Sequence, residues 1–205
     1  MTVKSKSFLG VFLEAFSSLL FDILGLIAGF ITSLVAVFVI KMPWILIMYP
    51  ALLTVRGNIS GIFSGRLTTG LHVGLIRPSI RKNTNYFYSL QASIFFMSLA
   101  NALVIALLSY TVYIMLEPTQ ITSFQIILYV VLLSMLIPTT VSIFFLAPLI
   151  GKFAYRKGVD PDTIVYPILS TINDIIVSAT YVLIIMILIF SEELFLSLIH
   201  ISEPT

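Results

Sequence analysis

The chain has 205 residues, of which 59% are hydrophobic and 10% charged. A soluble domain carries about 25% charged residues, so this sequence lacks the charge to cover a water-facing surface, and disorder, coiled coil and collagen are excluded. The net charge of +2 is too small for a nucleic-acid signature, and the absence of cysteine removes disulfides, thiolate catalysis and Cys-type zinc sites.

The expected class is an all-α integral membrane protein, partnered by the lipid bilayer and not by nucleic acid. A membrane helix needs about 20 mostly apolar residues. Residues 1–7 are expected as a cytoplasmic N-terminus and 8–197 as one transmembrane domain. The first apolar run is 19–40, with a start as early as Phe8, and it ends at Lys41. It is longer than the apolar stretch of a signal peptide and reads as a retained span. Asp22, Gly25 and Gly29 share one helical stripe there. The Gly25-x-x-x-Gly29 pair either lets another helix approach closely or is chance.

The second span, 43–67, is interrupted by Pro50, Arg56, Gly57 and Asn58, and carries Gly61-x-x-x-Gly65. Trp44 falls near its outer interface, where an indole is favoured. The third span is 86–116, with Asn101. The fourth is 124–150, with Pro138-Thr139-Thr140. Lone polar groups of this kind usually make interhelical hydrogen bonds. Asp160-Pro161-Asp162 has the chemistry of a helix start and opens the fifth span, 161–190. The closing string LIHISEPT, 198–205, resembles translated sequencing adapter. It is set aside as non-native, His200 with it.

Five spans put the termini on opposite sides. Lys4, Lys6, Arg66, Arg77, Arg81, Lys82, Lys152, Arg156 and Lys157 fall on the N-terminal side, against Lys41 alone on the other. That asymmetry makes the N-terminal side cytoplasmic and the C-terminus extracytoplasmic.

Asp22, Arg56, Asn58 and Asp174 are the polar residues that matter most. A charge at the bilayer centre costs at least about 2.5–3.5 kcal/mol, so such residues mark a pathway or a pair. Asp174 lies twelve residues past Asp162, about 18 Å from the cytoplasmic face. Asn58 lies about 21 Å from the outer face by the same rise. Pro50 and Pro167 free the carbonyls of Leu46 and Thr163. Arg56 and Asp22 are placed in the cytoplasmic third, where a structural ion pair is one reading.

No Lys, Arg or His is expected at the depth of Asp174. With Asn173, Thr171 and Ser170 it offers an all-oxygen set suited to a hard cation such as Mg²⁺, Ca²⁺ or Na⁺. The alternative is a carboxylate bonded to a neighbouring helix with no transport role. One carboxylate cannot cage a bare divalent ion. Mg²⁺ keeps waters, and a symmetric dimer would double the carboxylates. His72 falls in a cytoplasmic loop. HExxH and GxSxG are absent, so no enzyme is expected.

The stretch YPALLTVRGNISGIFSGRLTTGLHVG, 49–74, resembles the second span of the MgtE-type magnesium transporters. Gly57-Asn58 matches the Gly-Asn motif of that family. DPDTIVYPILSTINDII, 160–176, resembles the family's last loop and fifth span, with a Thr/Ser-x-x-Asp signature. The likeness is nearest to the archaeal transmembrane-only forms and the related eukaryotic solute carriers. It implies a homodimer conducting Mg²⁺ along its two-fold axis. Asp174 would be the metal-binding Asp and Asn58 the second-span Asn. Mg²⁺ is then the transported ion, and no organic cofactor is expected. The family's Gly-Gly-Asn is Arg56-Gly57-Asn58 here, which puts a cation near the route. The N-terminal and CBS regulatory domains of bacterial members have no counterpart in these residues. A Na⁺-coupled Mg²⁺ exchanger and a non-transporting membrane assembly subunit are the alternative readings.

Overall fold

A computed structural model describes residues 8–10, 12, 13, 16, 23–40, 42–79, 82–116, 124–157 and 161–202, leaving aside the side chains of residues 155, 157, 161–164 and 192–202. The regular structure of the described residues is helical, without strands. In chain order they form α1 (Gly25–Ser33), a 3₁₀ turn (Ala36–Ile40), α2 (Trp44–His72), α3 (Asn85–Leu116) and α4 (Phe124–Val141). A π-helical turn (Ser142–Leu146), α5 (Ala147–Lys157) and α6 (Pro161–Ser202) follow.

Four segments are long and apolar enough to cross a membrane: Trp44–His72, Asn85–Leu116, Phe124–Ala154 and Val165–Ser191. They correspond to the second to fifth expected spans. The first expected span differs. Among its described residues, α1 stops at Ser33 and the chain tightens into the 3₁₀ turn. Two local features accompany the change. The Thr32 and Ser33 hydroxyls donate back to the Ala28 and Phe30 carbonyls, at 2.8 and 2.7 Å, which competes with the helical ladder. The run Val35 to Ile40 is then rich in β-branched residues, which lose rotamer freedom in a helix.

The packing centres on α6, which contacts α1, α2, α4 and α5, while α3 closes against α2 and α4. Met48, Leu52, Ala102, Val130, Met135 and Leu169 are fully buried at these contacts. Phe96, Leu108, Tyr129, Leu183 and Ile187 point outward, an apolar exterior that suits lipid. Trp44 departs from expectation: it is only 1% exposed, so its ring fills the bundle instead of standing at the lipid interface.

The link between α2 and α3 is built by short-range chemistry. Gly74 takes φ +79°, a left-handed conformation that glycine enters without penalty. The chain turns back so that Ile76 N–H donates to the Gly70 carbonyl at 2.9 Å. A Cβ on Gly70 would meet Ile76 Cδ1 at 2.6 Å, so any larger residue there would push the Ile76 side chain aside. The Asn83 side chain then holds the loop, accepting from Arg77 N–H and donating to the Arg77 and Ser79 carbonyls, each at 3.0 Å. The Thr84 hydroxyl caps α3 by accepting from Phe87 N–H at 3.3 Å.

Candidate functional site

Helices α2 and α6 run antiparallel and are joined level by level. The Tyr181 hydroxyl donates to the Ile45 carbonyl at 2.5 Å. One turn on, the Tyr49 and Ser178 hydroxyls share a hydrogen bond of 2.7 Å, and the Tyr49 and Tyr181 rings lie 5.4 Å apart. Ser178 also donates to the Asp174 carbonyl at 2.7 Å. Next comes Arg56, which the pairs on either side of it set level with Asp174 and within reach of its charge. Below it Asn173 Nδ2 donates to Ser60 Oγ at 3.4 Å. A Cβ on Gly61 would lie 3.6 Å from the Tyr166 ring.

The Arg56–Asp174 relation overturns the expectation that the carboxylate has no basic side chain at its depth. Arg56 lies twelve residues past Trp44, about 18 Å along the helix. The register of α2 against α6, from Tyr49–Ser178 to Ser60–Asn173, sets this position level with Asp174. Asp22, its expected partner, lies outside the described residues.

Arg56 is 2% exposed, and Ser142 is the hydroxyl that receives it. Arg56 Nη2 donates to Ser142 Oγ at 3.3 Å. The Ser142 hydroxyl shares its own proton between the Pro138 carbonyl, at 2.8 Å, and Asn173 Oδ1. Arg56 Nε and Nη1 find no hydrogen-bond partner among the described residues.

Ser142 is positioned by Pro138. Proline has no N–H to give the carbonyl four residues back, and the ladder widens into the π turn one turn later. Such turns often mark functional positions. Gln91 of α3 donates through Nε2 to the Ile143 carbonyl inside that turn, at 2.5 Å. Ser98 and Thr139 bridge α3 and α4 at 3.0 Å, an interhelical bond of the kind expected for the fourth span. Thr140 and Asn101 instead return to carbonyls of their own helices, Leu136 and Met97.

The remaining candidate residues divide into two groups. Asn173 is 0% exposed and sits inside the network with Ser142 and Ser60. Thr171 is buried, and its hydroxyl donates to the Pro167 carbonyl at 2.9 Å. Asn58 is exposed, Gly57 is half-buried and Asp174 is half-buried. Thr54, Gly57, Asn58, Gly61, Ser64, Gly65 and Thr68 recur at helical spacing on α2. The last four of these and Tyr166 line a cleft of about 290 Å³. The first glycine pair behaves otherwise: a Cβ on Gly25 or Gly29 would meet nothing within 4 Å, so no described helix uses that approach. Among the described residues no three His, Cys, Asp or Glu side chains gather as a metal cluster.

Ser142 and Gln91 were not singled out from sequence. The usable signal was a Ser four residues after an intramembrane Pro, and a lone Gln in an apolar helix.

Long apolar helices around a buried polar junction define a multi-pass membrane protein. A family model for MgtE, described as divalent cation transporter, matches residues 49–184. The chain belongs to the MgtE family, whose members are transporters and not enzymes. No curated protein and no solved structure matches it.

Proposed function

We propose that this protein carries a divalent cation, Mg²⁺ first among them, across the membrane, with Asp174 as the carboxylate that receives the ion. What supports this reading is a half-buried Asp174 midway along α6, with a polar, glycine-rich cleft on the neighbouring α2, in a family described as divalent cation transporters. A carboxylate and amide and carbonyl oxygens suit a hard cation. Small residues leave room for an ion that keeps part of its water shell, as Mg²⁺ does.

In this reading Asn58 and Gly57 line the route, and the cleft along Gly61, Ser64, Gly65 and Thr68 is its cytoplasmic approach. Thr171 and Asn173, just before the ligand on α6, add further oxygens on its N-terminal side. A lone chain leaves the α2 face open, and a homodimer would close it and bring a second Asp174 to the axis. Five spans, with the N-terminus in the cytoplasm and the C-terminus outside, complete the proposed topology.

The test is uptake of Mg²⁺ by the purified chain in sodium-free vesicles, with Ca²⁺, Mn²⁺ and Co²⁺ as competitors. Saturable uptake that Co²⁺ or Mn²⁺ inhibits supports the reading. Uptake only with a sodium gradient would replace it with an exchanger. No uptake of any dication would leave a membrane assembly subunit.

A further inference from the structure

We propose that Arg56 is a tethered counter-cation that occupies the charge of Asp174 when no ion is bound, and that only a dication displaces it. The inference rests on the reading of Asp174 as the ion's ligand and adds what sets the charge selectivity of that site.

A guanidinium in a membrane core is retained only with a partner or a task. Arg56 is 2% exposed, and no described residue clamps it in a fork. One bond of 3.3 Å to Ser142 ties its head, while Nε and Nη1 meet no acceptor. A structural Arg–carboxylate pair is commonly bidentate, with the fork satisfied on both arms. Here the head is held loosely, by a hydroxyl that is itself shared with Asn173, the residue before Asp174. A small rotation lets it withdraw along Ser142 without breaking a rigid clamp.

Charge then discriminates between ions. A monovalent cation that replaces the guanidinium trades one unit charge for another and gains little. A dication doubles the Coulombic term with Asp174 at similar distance. The site is therefore closed to Na⁺ and K⁺ and opened by Mg²⁺.

The experiment is Mg²⁺ titration calorimetry of the purified full chain, with R56Q, R56K and D174N beside it. R56Q is expected to bind Mg²⁺ about 5- to 150-fold more tightly, the range usual for coupled sites, and to let Na⁺ compete. R56K should resemble the parent. Unchanged or weaker Mg²⁺ binding in R56Q, with binding lost in D174N, overturns the inference alone. Undiminished binding in D174N overturns the reading of Asp174 beneath it. Should R56Q fail to fold, the ¹⁵N guanidinium signal of Arg56 in the parent chain gives the answer. A shift on saturation with Mg²⁺, absent with Na⁺, supports displacement, and an unmoved signal contradicts it.

Discussion

Gln91 on α3 donates to the Ile143 carbonyl near the start of the π turn. The turn that carries Ser142 toward α2 and α6 is thus held open by a side chain from a third helix. Gln91→Leu removes that donor and leaves a buried carbonyl with a weakened set of partners. A buried polar group that loses its bond costs about 1–3 kcal/mol. The expected outcome is a lower unfolding temperature in detergent. An unchanged melt would mean that the turn is fixed by Pro138 alone.

The Ser142 hydroxyl should matter more than any other hydroxyl in the bundle. Ser142→Ala withdraws the acceptor of Arg56 Nη2 and the donor to Asn173 Oδ1 together. Bonds to charged groups contribute about 1.5–3 kcal/mol each, so the loss should exceed that of Ser178→Ala, which touches only neutral partners. Paired thermal or denaturant melts of the two variants give the order directly.

The Tyr49–Ser178 bond sets the register of α2 against α6 at one level of the membrane. Intramembrane side-chain pairs of this type average about 0.6 kcal/mol in double-mutant cycles. A cycle of Tyr49→Phe and Ser178→Ala should return a coupling of that size. A value near zero would show that the stacked Tyr49 and Tyr181 rings hold the register by packing alone.

Gly70→Ala tests the turn at the C-terminal end of α2. The new Cβ would press on Ile76 at 2.6 and 2.7 Å, and overpacking of this kind costs about 1–3 kcal/mol. Ile76→Ala in the same chain should recover part of the loss. Equal stability of the single variant and the parent would contradict the close approach of the two residues.

Much of this arrangement is legible in the residues, and the exceptions have physical causes. Apolar length alone locates α2, α3, α4 and α6, and Pro161 marks the start of α6 as its fixed φ suits a first turn. The Gly-Asn and Thr-x-x-Asp motifs point to the two helices that meet at the site. Length does not show where a helix will tighten, as α1 does after Ser33. Nor does linear depth tell which way a long side chain faces. Depth allows an Arg56–Asp22 pair as one reading, yet the rotation of α2 that buries Leu52, Ile59 and Phe63 also carries Arg56 into the bundle, level with Asp174. The π turn is least legible, because Pro138 predicts a disturbed ladder but not the Gln91 that stabilises it.

The account turns on whether Asp174 carries the ion. Mg²⁺ flux through D174N, in vesicles with protein matched to the parent and folding checked by melting, is the direct measurement. Loss of flux with a folded bundle is the predicted result. Flux at the parent rate in D174N would contradict the account and return Asp174 to the role of a structural partner for Arg56.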